Sequence, residues 1–267
     1  MIHFQQHNTN GVRYYTAATI RAAHAFSTRL GGVSTGHLES LNLSVRRGDT
    51  EENVRENWRR LGAAAGMDLS RVVYARQIQS RTVNIVSAPD AQAPWLAPRF
   101  ECDGFATNEP GLPLAVFTAD CIPVLLQDAA HGVIAAVHCG WRGSTADILG
   151  AALEQMAALG AKPETISAAI GPGIGACCFE VGPEVAEGVD KLLSGETEGL
   201  IRAGRGDRLF VDLKTANARR LRQLGVRPEN IAVADECTMC APDEFWSHRV
   251  TNGKRGVMTA VITLSSD

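Results

Sequence analysis

The feature that most limits how this chain can fold is a nearly continuous apolar stretch between residues 113 and 139. Its runs 114–118, 124–127 and 133–138 are rich in β-forming residues, and we expect strands there. The first two runs lie too close for a crossover helix, so either Pro123 bends one long strand or a tight connection reverses the chain. Residues 128–132 form a turn, which predicts that the second and third strands are neighbours.

The remaining periodicity mixes helices and strands. A helix is predicted over 50–65, where Val54, Trp58 and Leu61 share one stripe, Thr50 caps the start and Gly66 ends it. Further helices are predicted over 144–159 and 215–224, and further strands over 72–78, 82–86, 231–234 and 257–263. Helices and strands alternate only in places, which favours an α+β fold over a regular doubly wound sheet.

Composition places the chain among ordinary globular proteins. Its 267 residues are 45% hydrophobic and 21% charged, and no linker divides them, so we expect one domain over 1–267. A net charge of -3 argues against nucleic-acid binding. No apolar run approaches the roughly 18 residues of a membrane span, and the start, MIHFQQHNTN, lacks a signal-peptide pattern. These features predict a cytoplasmic protein.

The strongest chemical signal is a polar motif inside the apolar stretch. Asp120 and Cys121 interrupt it, and burial of a carboxylate there costs several kcal/mol unless a partner satisfies it. They point to opposite faces of a strand, so at most one of them shares a pocket with His138. Cys121 and His138 meet if their strands are neighbours. Arg142 follows at a strand-to-helix turn, where an anion is favoured.

A cysteine and a histidine in one pocket support two chemistries. They form a thiolate–imidazolium nucleophile, or they supply two ligands to zinc. The alternative is a buried cysteine beside a hydrogen-bonded histidine. Arg46 and Arg47, next to the segment SLNLS, either bind an anion or lie on the solvated surface.

The chain has seven cysteines, an odd number in a protein too long to need a disulfide framework, so we expect them to be mostly reduced. Cys237 and Cys240 have CxxC spacing, but no second CxxC or HxxxH motif follows, so the zinc signal is weak. Cys177 and Cys178 lie in a glycine-rich loop, IGPGIGACCFEVG, where simple packing is the favoured interpretation.

Several motifs together resemble one known family. They are HAFSTRLGGVSTG, SLNLSVRRGD, TADCIPVLL, VHCGWRG, IGPGIGACCFEVG and ECTMCAPDEFWSHR. The chain resembles the YfiH-like proteins, formerly called multicopper polyphenol oxidases or laccase-domain proteins and now regarded as purine nucleoside phosphorylases with adenosine deaminase activity. The resemblance implies an α+β fold, a single domain of mixed β-sheets flanked by helices, of the CNF-toxin/YfiH-like cysteine hydrolase type.

The resemblance also implies a zinc or copper ion held by His, Cys and His. Two of these positions are Cys121 and His138, and the third falls on Gln79, where a histidine is expected. An amide oxygen is a poor substitute for imidazole, which implies a weakened site, a site rebuilt with another ligand, or a metal-free protein. His24 and His248 are candidate replacements, whereas the adjacent Cys139 points to the other face.

As function, the resemblance implies phosphorolysis of adenosine, inosine and methylthioadenosine. Cys121 and His138 are the expected catalytic residues, Arg46 and Arg142 are candidates for binding phosphate, and Asn42 is a candidate for binding the nucleoside. Metal-dependent deamination of adenosine is expected to be weakened by Gln79. The expected partners are purine nucleosides and phosphate, without nucleic acid or membrane, and the expected assembly is a monomer or homodimer.

Two other functions stay open. The first is a cysteine hydrolase or a peptidoglycan-precursor editing protein that uses Cys121 and His138, and the second is a catalytically impaired nucleoside-binding pseudoenzyme. Multicopper oxidation is disfavoured, because seven scattered histidines without an HxH pair do not supply several histidine-rich copper sites.

Overall fold

The central strands carry apolar side chains on both faces, and the fold places them between other layers. A computed structural model describes residues 4–265. The strands are β1 (Phe4–Thr9), β2 (Val12–Ala17), β3 (Ala23–Ser27), β4 (Ala75–Arg76), β5 (Val83–Ile85), β6 (Phe100–Glu101), β7 (Gly104–Thr107), β8 (Leu114–Thr118), β9 (Ile122–Asp128), β10 (Val133–Cys139), β11 (Ile166–Ile170), β12 (Glu180–Val181), β13 (Ile201–Ala203), β14 (Leu209–Val211), β15 (Ile231–Val233) and β16 (Met258–Thr263). The helices are α1 (Glu51–Ala65), α2 (Trp141–Thr145), α3 (Ile148–Ala158), α4 (Pro183–Leu192), α5 (Leu213–Gln223) and α6 (His248–Thr251).

Two sheets dominate the fold. One has five strands in the order β1-β2-β3-β16-β8, and the other has six in the order β15-β11-β9-β10-β7-β5. The first is antiparallel throughout, whereas the second contains two parallel pairs, β11 with β15 and β5 with β7. This mixed arrangement confirms the α+β prediction. Two smaller sheets have the orders β12-β14-β13 and β4-β6.

The core explains why the sheets stack. Phe26, Leu114 and Ile262 of the five-stranded sheet share a buried cluster with Leu125 and Ile134 of the six-stranded sheet. On the outer faces, α1 packs against the five-stranded sheet, and α3 and α5 pack against the six-stranded sheet. The layers therefore run helix, sheet, sheet, helix.

The chain passes from one sheet to the other between β8 and β9. Asp120, in this three-residue link, has a φ of 84°, a left-handed conformation that aspartate tolerates better than most residues. The alternative of one long strand bent at Pro123 is therefore wrong. A tight connection is present, but it leads from one sheet to the other instead of pairing the two strands.

The predicted turn at 128–132 is confirmed. It joins β9 and β10 as antiparallel neighbours, and His138 lies opposite Pro123. The position of His138 near the end of β10 brings it beside the residue that precedes β9, which is Cys121.

Other predicted elements differ in extent. The helix over 50–65 is confirmed, with the Thr50 side chain accepting the Asn53 N–H and Gly66 in the left-handed conformation at its end. The helix predicted over 144–159 is wrong as a continuous element, because Asp147 has a φ of 64° and separates α2 from α3. Of the strand predicted over 72–78, only β4 forms.

Within residues 4–265, no helix combines the length and apolar character needed to cross a membrane.

Candidate active site

The His138 imidazole is held at the floor of a cavity by a buried carboxylate. Its Nδ1 lies 2.8 Å from Oδ1 of Asp103, and its backbone N–H donates to the Asp103 carbonyl over 2.7 Å. Both residues are buried, with 4% and 1% of their surfaces exposed. A carboxylate at Nδ1 favours the tautomer with a proton there and directs Nε2 away from Asp103.

The Asp103 carboxylate is fixed by a loop that precedes β5. It accepts the backbone N–H groups of Ile78, Gln79 and Ser80 over 3.2, 3.1 and 2.7 Å, and the Ser80 hydroxyl over 2.8 Å. Gln79 has a φ of 62°, which lets successive N–H groups converge on one anion. Burial raises the pKa of Asp103, but His138 and these hydrogen bonds outweigh burial and lower it. Asp103 is therefore ionised at neutral pH.

The Cys121 thiol and the His138 imidazole line the same cavity and interact electrostatically. Burial alone raises the pKa of Cys121, but the charge and hydrogen bond of His138, with a smaller contribution from the Gln79 side chain, outweigh burial and lower the pKa. Burial lowers the pKa of His138, but Cys121 and Asp103 reverse that effect and raise it to about 9. The arrangement favours a thiolate–imidazolium pair supported by an aspartate.

Gln79 occupies the position where the resemblance implies a third metal ligand. Its Oε1 is buried without a hydrogen-bond partner. This oxygen packs tightly on Gly140, since a Cβ added to Gly140 would lie 2.3 Å from it. The amide oxygen thus faces Gly140, and the side chain lines the same cavity as Cys121 and His138. Among residues 4–265, no third histidine, cysteine or carboxylate joins Cys121 and His138 in a potential metal site. These residues do not fit the three-ligand site that the resemblance implies.

Cys121 and His138 open into a cavity of about 370 Å³, a volume within the range of small-molecule sites. Its apolar lining includes Tyr74, Leu96 and Phe117. The arginines that line it are Arg46, Arg47, Arg76 and Arg255.

Three of these arginines are free to bind an anion. Arg76 forms an ion pair with Glu101 at 2.8 Å, but within the part of the chain that the structure describes, Arg46, Arg47 and Arg255 have none. Arg255 is 9% exposed, and its Nε has no hydrogen-bond partner. Burial and the nearby Arg47 charge lower the pKa of Arg255 to about 10. Buried, unpaired cations of this kind are stabilised by a bound anion.

Two predicted substrate residues lie outside this cavity. Asn42 is fully buried, where its Nδ2 donates to the Ser44 carbonyl and the Asp49 carboxylate and its Oδ1 accepts the Val257 N–H. Arg142 is exposed and stacks on Trp141, 4.3 Å from the ring centroid. The prediction that these side chains bind nucleoside and phosphate is corrected: Asn42 is occupied by internal hydrogen bonds, and Arg142 does not line the cavity.

The proposed replacement ligands do not complete a metal site. Both ring nitrogens of His24 are engaged, Nε2 with the Ala17 N–H and Nδ1 with the Ala22 carbonyl. His248 places Nδ1 3.5 Å from the Arg255 guanidinium and does not line the cavity. Cys139 points away from the cavity, as predicted, into the core beneath α3.

Sequence reasoning missed Asp103 and Arg255. Asp103 precedes a short apolar strand, in the segment ECDGFAT, and a buried carboxylate at a strand end was a usable signal of the same kind as Asp120. Arg255, in the segment GKRGV, gave no local signal. Asp120 itself does not enter the cavity, because its carboxylate accepts hydrogen bonds from Thr238, Ser247 and the Arg249 backbone.

The sequence and the fold have counterparts among known proteins. The sequence model of a family described as multi-copper polyphenol oxidoreductase laccase matches residues 23–265. The chain belongs to this family, which confirms the resemblance to YfiH-like proteins.

Relatives and solved structures cover nearly the whole chain. A Deinococcus radiodurans protein named purine nucleoside phosphorylase is 41% identical over 95% of this chain and 94% of its own. Escherichia coli purine nucleoside phosphorylase YfiH is 36% identical over 84% and 86%. The crystal structure of YlmD from Geobacillus stearothermophilus superposes with a TM-score of 0.90 at 31% identity over 100% of both chains.

Proposed function

We propose that this protein is a purine nucleoside phosphorylase that acts on adenosine, inosine and methylthioadenosine. The observation that carries the proposal is the cavity itself, whose lining combines the unpaired Arg46, Arg47 and Arg255 with the Cys121–His138 pair. Relatives of similar length that bear this name support it. The arginines supply charge for phosphate, and the apolar wall with Tyr74 and Phe117 suits a purine ring.

The reaction follows from these positions. Phosphate held by the arginines attacks the anomeric carbon of the ribose while the bond to the purine nitrogen breaks. The departing purine takes the bonding electrons and is stabilised by a proton. The His138 imidazolium, whose pKa is raised and whose orientation is fixed by Asp103, lines the cavity and serves as the proton donor. The arginine charges stabilise the attacking phosphate in the transition state.

Deamination of adenosine is proposed only as a weak side activity. It requires a water activated at C6 of the purine, which zinc deaminases achieve with three protein ligands. Cys121 and His138 offer two such ligands, and Gln79 offers an amide at the third position.

Product chromatography tests the proposal. Purified protein is incubated with adenosine, inosine or methylthioadenosine, with and without phosphate. Phosphate-dependent release of free purine and a sugar 1-phosphate is expected, and it should be lost in His138→Asn. Absence of free purine from all three nucleosides in phosphate would refute the proposal, and tight nucleoside binding without turnover would instead indicate a pseudoenzyme.

A second candidate function rests on the alignment of Cys121, His138 and Asp103. A thiolate, an imidazole and a carboxylate in this order also serve cysteine hydrolases, including enzymes that edit peptidoglycan precursors. Intact-mass analysis after incubation with an activated ester separates the two functions. An acyl group on Cys121 supports the hydrolase, and hydrolysis of that ester at the wild-type rate by a Cys121→Ala variant excludes it.

A further inference from the structure

Four cysteines from two distant loops converge at one edge of the six-stranded sheet. Strands β11 and β15 are parallel neighbours, so the loops that follow them leave the sheet side by side. Cys177 and Cys178 lie in the first loop, and Cys237 and Cys240 lie in the second. The four sulfur atoms lie within 4.8 Å of one another. The CxxC motif therefore has the partner pair that its sequence neighbourhood lacked.

The sulfur spacing matches a tetrahedral metal site. The Cys240 sulfur is 3.5 Å from that of Cys177 and 3.4 Å from that of Cys178. Zinc–sulfur bonds of about 2.3 Å in a tetrahedron place the sulfurs about 3.8 Å apart. A small adjustment of the side chains therefore brings all four sulfurs to bonding distance around one ion.

The surrounding backbone is built for thiolates. The Gly175 N–H donates to the Cys237 sulfur over 3.1 Å, an interaction that stabilises a metal-bound thiolate. Gly175 also permits the close approach of the loops, because a Cβ there would lie 3.2 Å from the Cys237 Cβ and 3.3 Å from the Cys177 sulfur.

A buried cation compensates the charge of such a site. The Lys214 ammonium is 6% exposed and donates to the carbonyls of Ala234 and Glu236, next to Cys237. Four thiolates around a divalent ion carry a net charge of minus two, so a buried ammonium beside them is stabilised.

We propose that Cys177, Cys178, Cys237 and Cys240 form a tetrathiolate site for one zinc ion. Four thiols each lose a proton to solvent, four zinc–sulfur bonds form, and no oxidant or reductant is needed. A disulfide would join only two of the sulfurs, at about 2.05 Å, and would leave the other two unexplained. Cys177 and Cys240 are exposed, so the ion reaches the site from solvent.

The site would stabilise the link that carries Cys121. Thr238, between the two cysteines of the CxxC motif, donates its hydroxyl to the Asp120 carboxylate over 2.6 Å. The Ile174 N–H, in the other cysteine loop, donates to the Asp120 carbonyl over 2.8 Å. Zinc that joins the two loops would therefore hold Asp120, and with it the position of Cys121. The ion has a structural role here and is independent of the proposed phosphorolysis.

Metal analysis of the full chain tests this proposal. Elemental analysis of the purified wild-type protein and of Cys121→Ser is expected to give one zinc ion per chain in both. Cys240→Ser, which removes one exposed ligand, should lose most of this zinc, while the matched Cys121→Ser variant shows that the zinc is not held beside His138. Cobalt-exchanged wild-type protein should show the charge-transfer and d–d bands of a tetrahedral site with four thiolates.

Three results would overturn the proposal. They are an equal zinc content in Cys240→Ser and the wild type, cobalt spectra with fewer than four thiolates, and an intact mass in non-reducing conditions that shows a disulfide among the four cysteines. The cobalt spectrum of the wild-type protein decides the matter even where a cysteine variant fails to fold.

Discussion

Asp103 decides the chemical state of the candidate catalytic pair, since it holds the His138 imidazole by Nδ1. Replacement by asparagine in Asp103→Asn removes the negative charge that helps to raise the pKa of His138 to about 9. The imidazolium should then lose its proton at lower pH, so the basic limb of the kcat/KM profile for phosphorolysis should shift down in pH. Loss of orientation should lower kcat/KM about 10- to 100-fold. Asp68→Asn, at an exposed position, is the control. An unchanged pH profile in Asp103→Asn would contradict this role.

Arg255 is expected to bind phosphate, because it is buried at the cavity wall without an ion-pair partner. A charged hydrogen bond contributes about 1.5–3 kcal/mol, so Arg255→Gln should raise the KM for phosphate about 10- to 100-fold. The KM for nucleoside should change much less. Arg142→Gln removes the same charge outside the cavity and should leave both constants unchanged, and an equal effect of the two variants would show that Arg255 has no specific role.

Gln79 is the residue that separates this chain from a three-ligand metal site. Gln79→His supplies an imidazole beside Cys121 and His138, so zinc content and adenosine deamination should both increase. The measurement belongs in a Cys240→Ser background, where zinc at the four-cysteine cluster does not mask the change. Gln79→Leu removes the amide without supplying a ligand and should bind no additional zinc. If Gln79→His changes neither quantity, position 79 does not control the site.

At the scale of elements, Asp147 explains why one predicted helix is two. Its side chain caps α3 by accepting the Gly150 N–H, while its left-handed backbone ends α2. Asp147→Ala removes the cap and places alanine in a strained conformation, which should lower the free energy of unfolding by about 1–3 kcal/mol in urea titrations.

Arg220→Ala is the control for this effect. It breaks the ion pair with Asp147, at 2.7 Å and partly exposed, but keeps the cap, so it should cost less than about 1 kcal/mol. An equal loss in both variants would assign the effect to the ion pair rather than to the helix start.

Elements with local signals were predicted well, and those that depend on distant partners were not. The helix α1 follows from its stripe, its Thr50 cap and Gly66, all of which act within one segment. Residues 72–78 have strand composition but form only β4. Val72 and Val73 make single bridges to Gln92 and Leu114, and the Gln77 side chain hydrogen-bonds to the backbone of Phe117, 40 residues away. No local pattern encodes that pairing.

At the scale of the whole molecule, the shared core predicts that the two large sheets unfold together. Leu125 lies in the cluster between them and is fully buried. Leu125→Ala should lower the free energy of unfolding by about 2–5 kcal/mol, with the same midpoint by tryptophan fluorescence and by far-UV circular dichroism. Separate midpoints for the two signals would contradict the prediction of one domain over residues 1–267.

The sequence by itself determined the α+β class, the β9–β10 hairpin and the meeting of Cys121 with His138, because these depend on apolar spacing and a short turn. Its motifs also determined the family. Only the tertiary structure decided that Asp103 orients His138 and that Arg255 rather than Arg142 faces the cavity. It also decided that two pairs of cysteines, about 60 residues apart in the chain, form one cluster. These contacts join segments far apart in the chain, and long-range packing, which no local pattern records, brings them together.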